Sequence, residues 1–175
     1  MSRGKNILKH KTTRIIIIAG IQQDRGIGYQ GKLLFEVKED MKHFTEQTTN
    51  HTVIMGRKTW ESIPKEHRPL KNRTNIVVTR DTTYIALGAL VVPKFYQALE
   101  QAPSNSDIYI IGGGEIYKQA LSYAHELDLT IFYSNKKADT FFPEYLPYFV
   151  EEESSEKYID DKSNISYQFK KFLRK

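Results

Sequence analysis

The sequence predicts an α/β fold: a mostly parallel, twisted central sheet with helices on both faces and an antiparallel C-terminal hairpin at its edge. Three observations predict it. Short β-branched runs alternate with helical patterns, several strand-to-helix turns carry glycine, and the tail alternates apolar and polar residues on either side of Asp160-Asp161-Lys162.

Arg14 to Ile21 is a β-branched run, read as a buried strand; a membrane span would need about twenty apolar residues. Gln22 to Glu36 is Gly-rich and reads as a long mobile loop. From Lys38 to Thr48 the pattern is helical, with Val37, Met41, Phe44 and Thr48 at spacings of four, three and four forming a stripe toward the core. A strand at Thr52 to Met55 leads into a short helix opened by Gly56-Arg57-Lys58-Thr59. Thr74 to Thr79 reads as strand, Tyr96 to Gln101 as helix, Asp107 to Ile111 as strand, Glu115 to Ser122 as helix and Leu127 to Tyr133 as strand. Tyr148 to Glu156 and Ile165 to Leu173 complete the hairpin.

At 175 residues, with no internal repeat and no Pro-, Gly- or Ser-rich linker, one domain over residues 15–175 is expected. The absence of cysteine excludes disulfides, thiolate metal sites and cysteine nucleophiles, and no metal is expected. The net charge of +5 comes from the front: Arg3, Lys5, Lys9, Lys11 and Arg14 precede the first acid, Asp24, and the remaining bases equal the 21 acids in number. Residues 1–14 therefore read as a disordered basic arm, with a cloning remnant, weak anion contact or targeting extension as lesser readings. A balanced body gives nucleic acid little to hold. With no apolar leader core and no membrane span, a cytoplasmic monomer is expected.

Two turns are candidates for holding an anion. Ile110-Ile111-Gly112-Gly113-Gly114-Glu115 runs from strand through three glycines into helix, which aims free backbone N–H groups and a positive dipole end at one point; a tight turn with no ligand is the alternative. Gly56-Arg57-Lys58-Thr59 opens a helix with two cations, an unfavourable placement that an anion would offset, and arginine offers the fork suited to a 2′-phosphate. With Thr79-Arg80 ending a nearby strand, two basic turns favour NADPH over NADH. By contrast Gly26-Ile27-Gly28-Tyr29-Gln30-Gly31 matches the Rossmann fingerprint in letters only: Gln22 to Arg25 separate it from the strand, and helix resumes near Lys38.

Asp40 lies three after Val37 and four before Phe44, on the apolar stripe, where a carboxylate needs a partner. Taken alone it reads better as a first-turn acid kept wet. Its context is more specific. Asp24-Arg25-Gly26-Ile27-Gly28, Asp40-Met41-Lys42-His43-Phe44, Ile54-Met55-Gly56-Arg57-Lys58-Thr59-Trp60-Glu61-Ser62-Ile63, Arg68-Pro69-Leu70, Arg73-Thr74-Asn75, Ile111-Gly112-Gly113-Gly114-Glu115-Ile116-Tyr117 and Ala138-Asp139-Thr140-Phe141-Phe142-Pro143 resemble dihydrofolate reductases in order and spacing, over nearly everything after residue 14.

The resemblance implies NADPH-dependent reduction of 7,8-dihydrofolate to 5,6,7,8-tetrahydrofolate, antifolate inhibitors as further ligands, and a set of roles. Asp40, seconded by Thr130, would accept the ring N–H and exocyclic amine of the pterin and assist protonation of the ring nitrogen, with its pKa raised by burial. Ile18, Met41, Phe44, Ile63, Leu70 and Ile111 would line the substrate, and Arg73 would clamp its glutamate carboxylate. Ala19, Ile27, Gly56, Arg57, Lys58, Thr59, Thr79, Arg80, Gly112, Gly113, Gly114, Glu115, Ile116 and Tyr117 would hold the cofactor, with Tyr117 at the nicotinamide edge and the phosphate assigned to Arg57 and Arg80. The first two glycines of the triplet would be joined by a cis peptide, and the loop Gln22 to Glu36 would close to exclude water.

Four positions depart from the family pattern. Phe35 stands where Trp is usual, so no indole N–H is there to hold a water near the acid; Leu34 replaces a common Pro, Asn72 a usual Gly, and Glu115 an Arg found in some members. Phe35 is nonetheless grouped with Asp40, Thr130 and Tyr117 as catalytic, with altered antifolate response expected. The rivals are a pterin or pyrimidine reductase of the riboflavin-synthesis type, which lacks the helix acid, and a nucleic-acid-binding protein acting through the arm.

Overall fold

In the computed structural model, residues 13–175 are described. Most of the segment expected as an arm, residues 1–12, lies outside them. Thr13 and Arg14 belong to the domain: the Thr13 hydroxyl donates to Ser104 O, and the Arg14 guanidinium reaches Asp107 at 2.7 Å and Glu126 at 3.2 Å.

The chain runs β1 (Ile15–Gln22), β2 (Gly26–Tyr29), β3 (Lys32–Leu33), α1 (Lys38–Thr48), β4 (Thr52–Gly56), α2 (Arg57–Ser62), β5 (Thr74–Val78), β6 (Leu90–Val92), α3 (Phe95–Gln101), β7 (Ile108–Ile110), α4 (Gly114–Ala120), β8 (Glu126–Tyr133), β9 (Thr140–Phe141), β10 (Phe149–Ser154), β11 (Tyr158–Ile159) and β12 (Ser166–Arg174). A 3-10 turn covers Lys65–His67. The large sheet has the order β10-β12-β8-β1-β7-β4-β5-β6, with β11 paired to β12. Contacts from β8 through β6 are parallel, and β12 is antiparallel to both β8 and β10.

The chain first steps one way across the sheet, from β1 to β4, β5 and β6, then returns to slot β7 beside β1 and adds β8 on its far side. Crossovers of one hand taken in opposite directions place their helices on opposite faces. The core shows this residue by residue. Ile16, Ile18, Val53, Met55 and Val77 point to the face holding Trp60 of α2 and Phe44 of α1, while Ile17, Ala19, Ile54, Ile76 and Ile110 point to the face holding Ala98 of α3 and Ile116 of α4. This period of two is the strand signature, and both faces are covered, so the parallel strands carry apolar residues at successive positions.

Between Gln22 and Glu36, the segment read as a long mobile loop, the structure holds two short strands. β2 and β3 form a hairpin that joins β9 in a separate antiparallel sheet. Its two-residue turn is Gln30-Gly31, with φ of 49° and 75°, the left-handed pair of a type I′ turn. Asp139, just before β9, pins that turn by accepting the Gln30 N–H at 2.8 Å.

Candidate active site

The carboxyl ends of β1, β4, β5 and β7, the face of α1 and the small hairpin enclose one cleft of about 2170 Å³. That position follows from topology, since the return of the chain between β1 and β4 separates the helices at this edge.

Asp40 lies in the first turn of α1, beside Glu39, where a negative charge suits the helix dipole. It lines the cleft and is only partly exposed. Burial pushes its carboxyl above the ordinary value, while the Thr130 hydroxyl bond and the nearby His43 charge draw it back. Thr130, on β8, is itself buried and lines the same cleft. Gly20 of β1 makes room: a Cβ there would lie 2.9 Å from Phe132 Cε2 and 3.4 Å from Asp40 Oδ2.

Two further walls carry the turns. The Gly112–Gly113 peptide is cis, as the resemblance implied. Gly112 has φ of 117°, a region where a side chain is strained, and its carbonyl accepts the Gly56 N–H at 2.7 Å, binding the β7 and β4 turns together. Tyr117, in α4, lines the cleft with its hydroxyl donated to Ile18 O at 3.0 Å. Burial, with the Asp40 charge second, pushes that phenol up.

Residues 14–174 match the family model described as dihydrofolate reductase. The chain belongs to the dihydrofolate reductase family. A dihydrofolate reductase of Staphylococcus aureus (strain MSSA476) is 33% identical over 168 residues, 94% of this chain and 99% of that one. One from Buchnera aphidicola is 40% identical over 134 residues, 77% of this chain and 81% of the relative. The match to a Mycobacterium tuberculosis dihydrofolate reductase, at 41%, spans 62% of that protein's length. Among solved structures, a dihydrofolate reductase from Enterococcus faecalis complexed with NADP(H) and RAB-propyl aligns with a TM-score of 0.82 at 28% identity, over 92% of this chain and 96% of that one.

The cleft gathers nearly all the residues assigned from the family pattern: Ile18, Asp40, Met41, Phe44, Ile63, Leu70, Arg73, Ile111 and Thr130, together with Ala19, Ile27, Gly56, Arg57, Lys58, Thr59, Thr79, Arg80, the glycine triplet, Glu115, Ile116 and Tyr117. Met41, read as part of a core stripe, is 50% exposed; Met41 and Phe44 of that stripe line the cleft, while Val37 and Thr48 are buried, because α1 faces the opening as well as the sheet. Arg73 is held from behind, its Nε–H donating to Lys71 O and its Nη1 to the Thr48 hydroxyl, both at 2.9 Å, and burial lowers its pKa. Asn72 beside it has φ of 56°, which Asn tolerates better than most residues.

Phe35 departs from its assignment. It is absent from the cleft lining and buried instead in a third cluster with Leu34, Val37, Phe132 and Tyr167. Its ring stacks on Phe132 at 4.2 Å between centroids, with the Lys136 ammonium 4.9 Å from the ring centre. A benzene ring has no donor to direct toward the cleft, so burial decides its orientation. The cations at the start of α2 are also not bare: Arg57 lies 3.5 Å from Asp81 and 3.8 Å from Glu61, so protein carboxylates already offset part of the unfavourable charge that an anion was expected to offset. Gly20 and His43 line the cleft and were not singled out as site residues. Gly20 was legible only as a glycine in a strand; His43 only as three residues beyond Asp40.

Among the described residues, no group of three or more His, Asp or Glu is placed to hold a metal ion, and no helix is long and apolar enough to cross a membrane.

Proposed function

We propose that this cleft reduces 7,8-dihydrofolate to 5,6,7,8-tetrahydrofolate with NADPH, in a single monomeric domain acting in the cytoplasm. The observation that carries this is Asp40: a partly buried carboxyl, raised above its ordinary value, in the same cleft as a glycine triplet and two basic turns.

The residues present fit NADPH. A Cβ on Gly113 would stand 3.3 Å from Thr59 Oγ1, and one on Gly114 would stand 3.2 Å from Thr140 Cγ2, so side chains would fill the cradle that bare backbone leaves for a pyrophosphate. Gly113, Gly114 and Thr59 would hold that group, Tyr117 and Ala19 the nicotinamide end, and Lys58, Arg80 and Arg57 the 2′-phosphate. When bound, the cofactor supplies hydride to the pterin.

The chain's own residues do the rest. Asp40 accepts the paired donors of the pterin edge and fixes the ring's orientation, and Thr130 holds the carboxylate that does so. A carboxyl pKa raised by burial lets Asp40 hold its proton to higher pH than an ordinary aspartic acid, which assists protonation of the ring nitrogen. Phe44, Ile63 and Leu70 exclude water from the rings, and Arg73, already anchored on two sides, presents its remaining donors to the glutamate carboxylate.

Asp40→Asn tests the reading. Turnover of dihydrofolate, followed by NADPH absorbance with NADH as comparison, is expected to fall roughly a hundredfold or more near neutral pH, the scale of a lost general acid. Full activity in that variant would refute it.

A further inference from the structure

Next to the proposed catalytic acid stands a second carboxylate with a partner of its own. His43 Nε2 lies 2.9 Å from Asp128 Oδ1 and 3.0 Å from Oδ2. Asp128 and Thr130 are two apart on β8 and so share a face, while Asp40 and His43 are three apart on α1 and so are neighbours on its surface. The helix and the strand therefore meet on two rungs: Asp40 with Thr130, and His43 with Asp128.

We propose that the His43–Asp128 pair acts through Asp40 as a positioning pair, setting the angle of α1 against β8 at the pterin and placing a cation beside the Asp40 carboxylate. The inference rests on the reading of Asp40 given above.

Every charged group facing His43 has a place in this arrangement. On α1 these are Asp40 and Glu46; on β8, Asp128; on β10, Glu153; on β12, Lys170 and Lys171. The two lysines are taken up elsewhere, Lys170 by Glu151 at 2.9 Å and Lys171 by Glu153 at 3.6 Å and Glu126 at 3.9 Å. Phe169 of β12 packs on the imidazole at 4.5 Å between centroids, which fixes the ring's plane. Burial alone would lower the imidazole pKa, but the hydrogen bond and charge of Asp128 outweigh it, so His43 holds its proton more firmly than an ordinary histidine. At Asp40 the His43 charge outweighs the opposing charge of Asp128, so the pair favours the ionised acid.

The consequence is readable in a pH profile. Reduction loses rate as pH rises and Asp40 gives up its proton, so removing the cation moves that alkaline limb to higher pH, and a permanent cation moves it the other way. In His43→Gln, which keeps a donor for Asp128, the rate on the alkaline limb is expected to exceed the parent's by roughly two- to fivefold. His43→Lys is expected to place the limb at or below the parent's pH. Limbs that superimpose in the Gln variant, or that move the same way in both, overturn the proposal. Should the Gln variant not fold, the Lys variant decides alone: a limb displaced to higher pH sinks the idea. Asp40→Asn, measured alongside, separates the two readings. If that variant keeps its activity, the assignment of Asp40 fails; if it is inactive while the His43 limbs do not move, the positioning pair alone fails.

Discussion

The burial of Asp40 comes at a cost to the fold. Its ordinary pKa is 3.8, and burial raises it in the folded chain. Between the unfolded and folded values the native state holds more protons than the unfolded one, so unliganded stability falls as pH rises through that window and stays lower above it. Asp40→Asn removes the titration and keeps an acceptor for Thr130. We expect the variant to unfold at a higher temperature than the parent above the window, while the two converge in acid; a parent as stable as the variant at neutral pH would contradict this. Gly20 offers a steric test at the same spot. Gly20→Ala pushes a methyl to 2.9 Å from the ring of Phe132, which is fully buried and cannot swing away. A loss of roughly 1–3 kcal/mol is expected in denaturant unfolding, with a raised KM for dihydrofolate as Asp40 shifts.

Among the elements, β1 depends on a tether at its first turn of chain. Arg14 bridges Asp107, before β7, and Glu126, at the start of β8, so one guanidinium ties the amino ends of three neighbouring strands. Asp107 is almost wholly buried, while the Arg14 side chain is about half exposed. Arg14→Ala would leave those carboxylates near each other without that cation, and we expect a loss of roughly 1–3 kcal/mol, below the full penalty of a buried pair because solvent screens the arginine. Thermal unfolding of Arg14→Ala against Arg14→Lys measures it, with Lys intermediate. The hairpin gives the opposite sign. Gln30 occupies a left-handed position that Asn fills more readily, so Gln30→Asn is expected to stabilise the chain by roughly 0.5 kcal/mol in the same assay. These elements also show what local pattern can reveal. α1 spans Lys38–Thr48 as its periodicity indicates, because eleven residues supply three turns of signal. β2, β3 and β9 have four, two and two residues, too few to establish a period, and β9 is defined only by a partner more than a hundred positions upstream. Phe35 is a parallel case. Its position was legible from neighbouring motifs, but its direction is set by Phe132, nearly a hundred residues away.

Across the whole molecule, the charge that matters is local. The glycine triplet, Lys58 and Arg80 face one opening, and the exposed cations among them are screened by salt over about 8–10 Å at physiological ionic strength. Raising salt from low to high should therefore weaken NADPH binding several-fold more than NADH binding, as measured by fluorescence titration; equal weakening would remove the basic turns from the discrimination. The parallel order of strands and the covered faces were foreseeable from alternating elements, and the cleft's place followed from topology. That β12 lies inside the sheet, between β8 and β10, is a different matter. β8 carries Thr130 and Asp128, and its outer neighbour is synthesised after every other strand described. On a ribosome, the strand behind the acid would wait with an open edge until Ser166–Arg174 emerged, so a chain halted before that point would bear an unzipped margin, open to pairing with another such chain, and no finished pocket.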